Sequence, residues 1–127
     1  MDKSFRDEIL VYAKETYQTL PEYPWDTAPN YAVLRHSQNQ KWYAVILDVP
    51  RFRLNLEGEG KIDILNIKLD PILVGSLRLE KGFLPAYHMN KECWISVLLD
   101  GSVPLDKIYF LLNESYILTL NPKKRKK

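Results

Sequence analysis

The chain has 127 residues, 46% hydrophobic and 27% charged, an ordinary globular make-up that supports one core but not two. Its longest unbroken apolar run, Trp42 to Leu47, is six residues, far short of the roughly 18 that a membrane helix needs. The charged start at Asp2, Lys3, Arg6, Asp7 and Glu8 lacks the apolar core of an export signal, and a lone cysteine permits no intramolecular disulfide. A soluble, cytoplasmic protein is expected.

The net charge of +2 averages two unlike parts. Five of the 18 basic residues are Lys123, Lys124, Arg125, Lys126 and Lys127, and without them 13 basic residues face 16 acidic ones. The expected layout is an acidic domain at 1–121 and a basic, disordered tail at 122–127.

Taken in chain order, Phe5, Ile9, Tyr12, Ala13, Thr16, Tyr17 and Leu20 recur at helical spacing. They predict a helix from about Phe5 to Leu20, capped by Asp2 or Ser4. The proline-rich run Leu20–Asn30 follows as a connector, since it can neither continue a helix nor enter a sheet interior. Tyr31–His36 and Lys41–Val49 read as a hairpin of two strands. Phe52–Leu56 alternates apolar and polar and is read as an extra strand or an edge. Gly58-Glu-Gly60 is a turn, and Leu65–Leu69 is a further strand.

Asp70-Pro71 opens a helix expected to end near Lys81, with Gly82 as its left-handed cap. A second hairpin is predicted from Tyr87–Met89 and Cys93–Leu99 around Asn90-Lys91. In its later strand Cys93, Ile95, Val97 and Leu99 share one face, and Trp94, Ser96 and Leu98 the other. A final helix carries Leu105, Ile108, Tyr109, Leu112 and Tyr116 in a stripe. The fold class is therefore α+β: a single compact domain, antiparallel sheet and hairpins against helices, in the order α-β-β-β-α-β-β-α.

The chemistry-bearing residues crowd into Leu84–Val97, where Tyr87, His88, Lys91, Cys93 and Trp94 lie close together. A metal site would need three or four ligands at useful spacing, yet the chain holds two histidines, His36 and His88, and one cysteine. No metal and no cofactor are expected. Cys93 lies mid-strand with Ile95 and Val97, where a cysteine is a small core filler. His88 lacks any evident nucleophile or orienting partner. Gly58-Glu-Gly60 lacks the third glycine of a phosphate loop, and Glu59 would repel phosphate. Trp25 stands apart in the connector, where a loop aromatic is either a lid over the core or a contact residue.

Four blocks resemble the MmcQ/YjbR family: Asn66-Ile-Lys-Leu-Asp-Pro71; Pro85-Ala-Tyr-His-Met-Asn-Lys91 with Trp94; Leu99-Asp-Gly-Ser-Val-Pro104; and Leu112-Asn-Glu-Ser-Tyr116. Their order matches, and the resemblance runs from the first helix to about Leu120. It implies a compact α+β domain, a DNA-binding role through hairpins arranged like a double wing, and no catalytic residues to carry over. The Pro50-Arg-Phe-Arg53 run and the Gly58-Glu-Gly60 segment depart from the family pattern, and an acidic body is not the basic surface that a duplex attracts, although Arg51, Arg53, Lys68, Arg78 and Lys91 could form a local basic patch.

Three functions follow. DNA binding is the leading expectation, with Lys68, Tyr87, His88, Asn90, Lys91 and Trp94 as candidate contacts and the tail as a non-specific polyanion contact. The alternative is a protein- or small-ligand-binding module with a groove beside Trp25, Tyr87, His88 and Trp94. An enzyme using Tyr87, His88, Lys91 and Asp100 as acid–base groups comes last. No membrane partner is expected.

Overall fold

The computed structural model describes residues 3–120. Its helices are α1 (Phe5–Tyr17), α2 (Pro71–Leu77) and α3 (Leu105–Leu120); its strands are β1 (Ala32–Arg35), β2 (Trp42–Pro50), β3 (Lys61–Lys68), β4 (Phe83–Pro85) and β5 (Trp94–Leu98). The strands form one antiparallel sheet in the order β1-β2-β3-β5-β4. The expected α+β class and element order hold. The basic tail and Asp2 lie outside the described residues.

Strand alternation sorts the apolar side chains onto two faces. Ala32 and Leu34 of β1, Ala44 and Ile46 of β2, Leu65 and Ile67 of β3, and Ile95 and Val97 of β5 point to the side that α1 and α3 cover. Ile9, Ala13, Ile108, Leu111 and Leu112 meet them there, completely or almost completely buried. The opposite face carries Val33, Val45, Leu47, Val49, Ile62, Ile64 and Leu98. Among the described residues no α-helix joins this second cluster. Tyr31, Trp42, Leu54, Leu56, Leu84 and Tyr87 cover it partly.

A bulge explains why Tyr43 joins the helix side. Leu34 pairs with Ala44 and Arg35 with Trp42, so Tyr43 is the extra residue. Its carbonyl accepts a 2.6 Å hydrogen bond from Ser115 Oγ of α3, which in turn accepts from the Lys68 amide at 3.0 Å. The end of α3 is held from the β1–β2 turn, where Asn39 Nδ2 donates to the orphan carbonyls of Thr119 and Leu120 at 3.0 and 2.9 Å. Tyrosine stacking locks the two helices together, with Tyr12 over Tyr109 and Tyr17 over Tyr116 at centroid separations of 4.0 Å.

Several boundaries differ from expectation. Ser4 caps α1, accepting from the Asp7 amide, but the helix ends at Tyr17 because Gln18 turns left-handed at φ 57° and its N–H closes on Ala13 and Lys14. Leu20 is outside the helix and 65% exposed. Residues 52–56 are not an edge strand. Arg51–Leu54 form a short 3₁₀ helix, ended by Asn55 at φ 60°, and Leu56 N–H returns to the Arg51 carbonyl.

Asp70 and Pro71 start α2 as expected, yet it stops at Leu77. Tight 79→76 and 80→77 amide-to-carbonyl bonds then turn the chain, and Gly82 at φ 93° feeds β4 rather than capping the helix.

The predicted strand at Tyr87–Met89 is absent. β5 pairs instead with Phe83–Pro85, an edge position where Pro85 costs no ladder bond. Residues 86–93 form a folded loop.

Candidate ligand groove

The loop is held by side chains where a strand would have used a ladder. Asn66 on β3 and Ser96 on β5 sit opposite each other, both fully buried. Ser96 Oγ donates to Asn66 Oδ1 and accepts from the Tyr87 amide at 2.9 Å. Asn66 Nδ2 donates to the Tyr87 carbonyl at 2.9 Å. Both backbone polar groups of Tyr87 are thus satisfied by the sheet without strand geometry, as burial requires.

The next residue, His88, takes φ 61°, a left-handed conformation to which histidine is better suited than most residues. Its ring packs at 3.9 Å from that of Tyr87. Asn90 then closes the loop, its Oδ1 accepting from Glu92 N–H at 2.8 Å and its carbonyl from Trp94 N–H at 3.0 Å.

This loop, the 20–30 connector and the 3₁₀ helix border the helix-free face and leave a groove. One compartment, of about 450 Å³, has Val45, Leu47 and Asn66 at its base and Trp25, Tyr31, Trp42, Tyr87, His88 and Met89 around it. Trp25 stands edge-on to Trp42 and Tyr31, at 5.7 and 5.9 Å. A second compartment, of about 700 Å³, lies among Arg53, Leu54, Leu56, Leu84, Tyr87, His88 and Lys91. A third, of about 410 Å³, lies among Asn30, Tyr31, Asp48, Arg53, Lys61, Tyr87 and His88. All three share Tyr87 and His88.

Charge at the rim is uneven. Asp48 accepts from Asn30 Nδ2 at 3.0 Å and faces Lys61 Nζ at 3.7 Å. Arg53 and Lys91, both exposed, make no ion pair with a described residue. Burial raises the Tyr31 phenol above its ordinary pKa; Tyr87 and Asp48 push it the same way and Arg53 opposes them. These groups therefore share one field.

Of the candidate contacts read from sequence, Tyr87, His88 and Lys91 converge on the groove. Asn90 shapes the loop. Trp94 does not border these compartments: it is 9% exposed, on the sheet opposite Lys68, and Trp42 takes the place that the sequence reading gave it. Lys68 is half-buried and likewise borders none of the three. Tyr31 and Trp42 were missed as groove residues, because nothing local marks a strand aromatic as facing an open side.

The acid–base set is not assembled either. Asp100 follows β5 and borders none of the three compartments, and its carboxylate is used in a turn. There Oδ1 accepts from the Ser102 amide and hydroxyl at 2.9 and 2.6 Å. Burial alone would raise its pKa, but those bonds, with Arg51, hold it below the usual value. Cys93 is a free, half-buried thiol. Among the described residues no group of three or more His, Cys, Asp or Glu is placed to hold a metal, and no helix is long and apolar enough to cross a membrane.

Fold and groove together define a class: small α+β domains with helices on one sheet face and an aromatic-rimmed hollow on the other. The chain belongs to the YjbR family, whose family model matches residues 14–118. It is 47% identical over 114 residues to the uncharacterized protein YyaQ of Bacillus subtilis, covering 90% of this chain and 97% of that one. It is 36% identical to the uncharacterized protein YjbR of Escherichia coli K12 over 66 residues, 50% of this chain and 56% of the other. A crystal structure of a Pseudomonas syringae protein superposes with a TM-score of 0.87 at 44% identity, covering 94% and 99% of the two chains. One from Deinococcus radiodurans gives 0.71 at 26% identity, covering 98% and 83%.

Proposed function

We propose that this domain is a non-catalytic binding module that holds a small ligand in the groove on its helix-free sheet face. The observation that carries the reading is the convergence of three compartments on one pair of residues, Tyr87 and His88, of which Tyr87 has its backbone fixed by the buried Asn66–Ser96 pair. Volume and lining suit a small-molecule site, with apolar and aromatic walls and a few polar groups at fixed places. Trp25 and Trp42 report occupancy, so a fragment set is screened by tryptophan fluorescence. A hit that Trp25→Ala and Tyr87→Ala each weaken at least tenfold, with the fold intact by circular dichroism, supports the site. Hits indifferent to both substitutions contradict it.

The second reading is DNA binding. It is favoured by Arg53 and Lys91, cations without carboxylate partners among the described residues beside exposed His88, and by the basic residues 123–127. Anisotropy of labelled duplex and single-stranded DNA, with the full chain and one ending at Asn121, tests it across a salt series. Each phosphate contact adds roughly 0.9 to the log–log slope on duplex. Retained binding without the tail that Lys91→Ala weakens supports a groove-side surface; loss with the tail assigns binding to those five residues. A single free cysteine fits work in the reducing cytoplasm.

A further inference from the structure

The groove has two chemically distinct ends. Its apolar compartment is walled by Trp25, Tyr31 and Trp42, and the adjoining ones are edged by Arg53 and Lys91. On the reading of this groove as a ligand site, we propose that its ligand is a small aromatic acid: a flat ring lies among Trp25, Trp42 and Tyr87, and an anionic substituent meets Arg53 and Lys91.

The ring end follows from the walls. Trp25 and Trp42 are held at 83° to each other and both border the compartment, and two rings so inclined suit an aromatic guest that stacks on one and meets the other edge-on. The base beneath is Val45 and Leu47, buried aliphatics, with Asn66, whose amide and carbonyl are already engaged by the Tyr87 carbonyl and the Ser96 hydroxyl. A flexible aliphatic chain would fill the same volume but gain none of the ring–ring geometry.

The anionic end follows from charge. The carboxylate in this part of the groove, Asp48, is engaged by Asn30 and Lys61, so the charges left over at the rim are positive. The Tyr31 and Tyr87 phenols add donors: neither makes a side-chain hydrogen bond to a described residue, and Tyr31 lies within the influence of Arg53. Guanidinium and phenol donors beside an apolar slot suit a carboxylate or phosphate, because a charge-assisted hydrogen bond is stronger than a neutral one. Held at φ 61°, His88 sets its ring between the two ends, bordering all three compartments.

The test is calorimetric titration of the full chain with 2-naphthoate, its neutral isostere 2-naphthamide, decanoate and a single-stranded oligothymidylate. Naphthoate is expected to bind at least tenfold more tightly than naphthamide and decanoate. Arg53→Ala or Lys91→Ala should erase the advantage over naphthamide, and Trp25→Ala should weaken both naphthyl compounds. Both cations are exposed, so neither substitution threatens the fold. Equal binding of naphthoate and naphthamide overturns the anion claim and leaves the groove reading standing. Decanoate binding as tightly as naphthoate overturns the ring claim. An oligonucleotide that outcompetes naphthoate in a Trp25-dependent way replaces the small acid by a nucleic-acid strand. If none of the four binds, this proposal falls; the fragment screen then decides the groove reading separately.

Discussion

Asn66 Nδ2 donates to the carbonyl of Tyr87 at 2.9 Å across 21 residues of chain, tying the centre of the sheet to the loop that edges the groove. Since Ser96 completes the ring of bonds from inside β5, the position of Tyr87 is set by two buried side chains rather than by strand pairing. Asn66→Ala leaves the part-buried Tyr87 carbonyl without its donor and the buried Ser96 hydroxyl without its acceptor, each a desolvation cost of about 1–3 kcal/mol. The expected loss is about 2–3 kcal/mol in urea unfolding, with amide exchange accelerated at residues 86–93 more than in α1 or α3. Uniform acceleration would mean that the pair stabilises the whole sheet and does not position the loop.

Gly82 is required twice over. It sits at φ 93°, and a Cβ there would lie 2.5 Å from Val103 Cγ2, on the connection that passes Leu98 N–H to the Gly82 carbonyl at 2.9 Å. Gly82→Ala should cost about 2 kcal/mol or more from backbone strain and overpacking together. Adding Val103→Ala should recover the steric part only, so the double variant is less unstable than the two single losses summed. Strict additivity in thermal unfolding would show that the contact plays no part.

His36 predicts a pH dependence away from the groove. It borders a polar cavity of about 210 Å³ near Tyr17 and Tyr116 and is 3% exposed. The Thr119 hydroxyl donates to the Ser115 carbonyl at 2.8 Å, so its oxygen accepts from His36 Nε2–H, also at 2.8 Å. Nδ1 is left as a buried lone pair without a partner among the described residues. Burial lowers the pKa of the ring, with the Tyr116 carbonyl partly opposing.

A base whose folded pKa lies below its unfolded value stabilises fully above the unfolded value, about 6.5, and the stability is lost as pH falls from there through the folded value. Urea midpoints should therefore drop between pH 7 and 5. His36→Gln, which keeps a donor for Thr119, should flatten that slope; an unchanged slope would place the titration elsewhere. The carboxylate of Asp100 contributes separately. Its depressed pKa gives stability that is complete above about 3.8 and lost as pH falls through its lower folded value, well below the His36 window.

Much of the helix side was legible in sequence because periodicity and caps act locally. Ser4, Asp70-Pro71 and the α3 stripe lie where side-chain chemistry and backbone need coincide over a few residues. The alternation Trp94, Ser96, Leu98 against Ile95, Val97 likewise sorted β5 correctly. The groove was only half legible. Tyr87 and Met89 alternate like a strand, but the bonds that decide their conformation come from Asn66 and Ser96, distant in sequence, and so the hairpin reading failed. Trp94 was placed in the groove by proximity in sequence to Tyr87, whereas the loop turns between them and Trp42 arrives from another strand. Phe52–Leu56 failed for a third reason: Asn55 at φ 60° ends a helical turn that apolar alternation does not reveal.

The central claim is that ligand occupies the helix-free face. The most direct test is a ¹⁵N–¹H correlation map of the full chain with the tightest fragment hit. The account predicts shifts confined to the Trp25 and Trp42 indoles and to the amides of Tyr31, Val45, Leu47 and 87–89, with Phe110, Ile117 and the His36 region unmoved. Shifts centred on His36 and Tyr116, or on the exposed side of α3, with the two indoles silent, would contradict it.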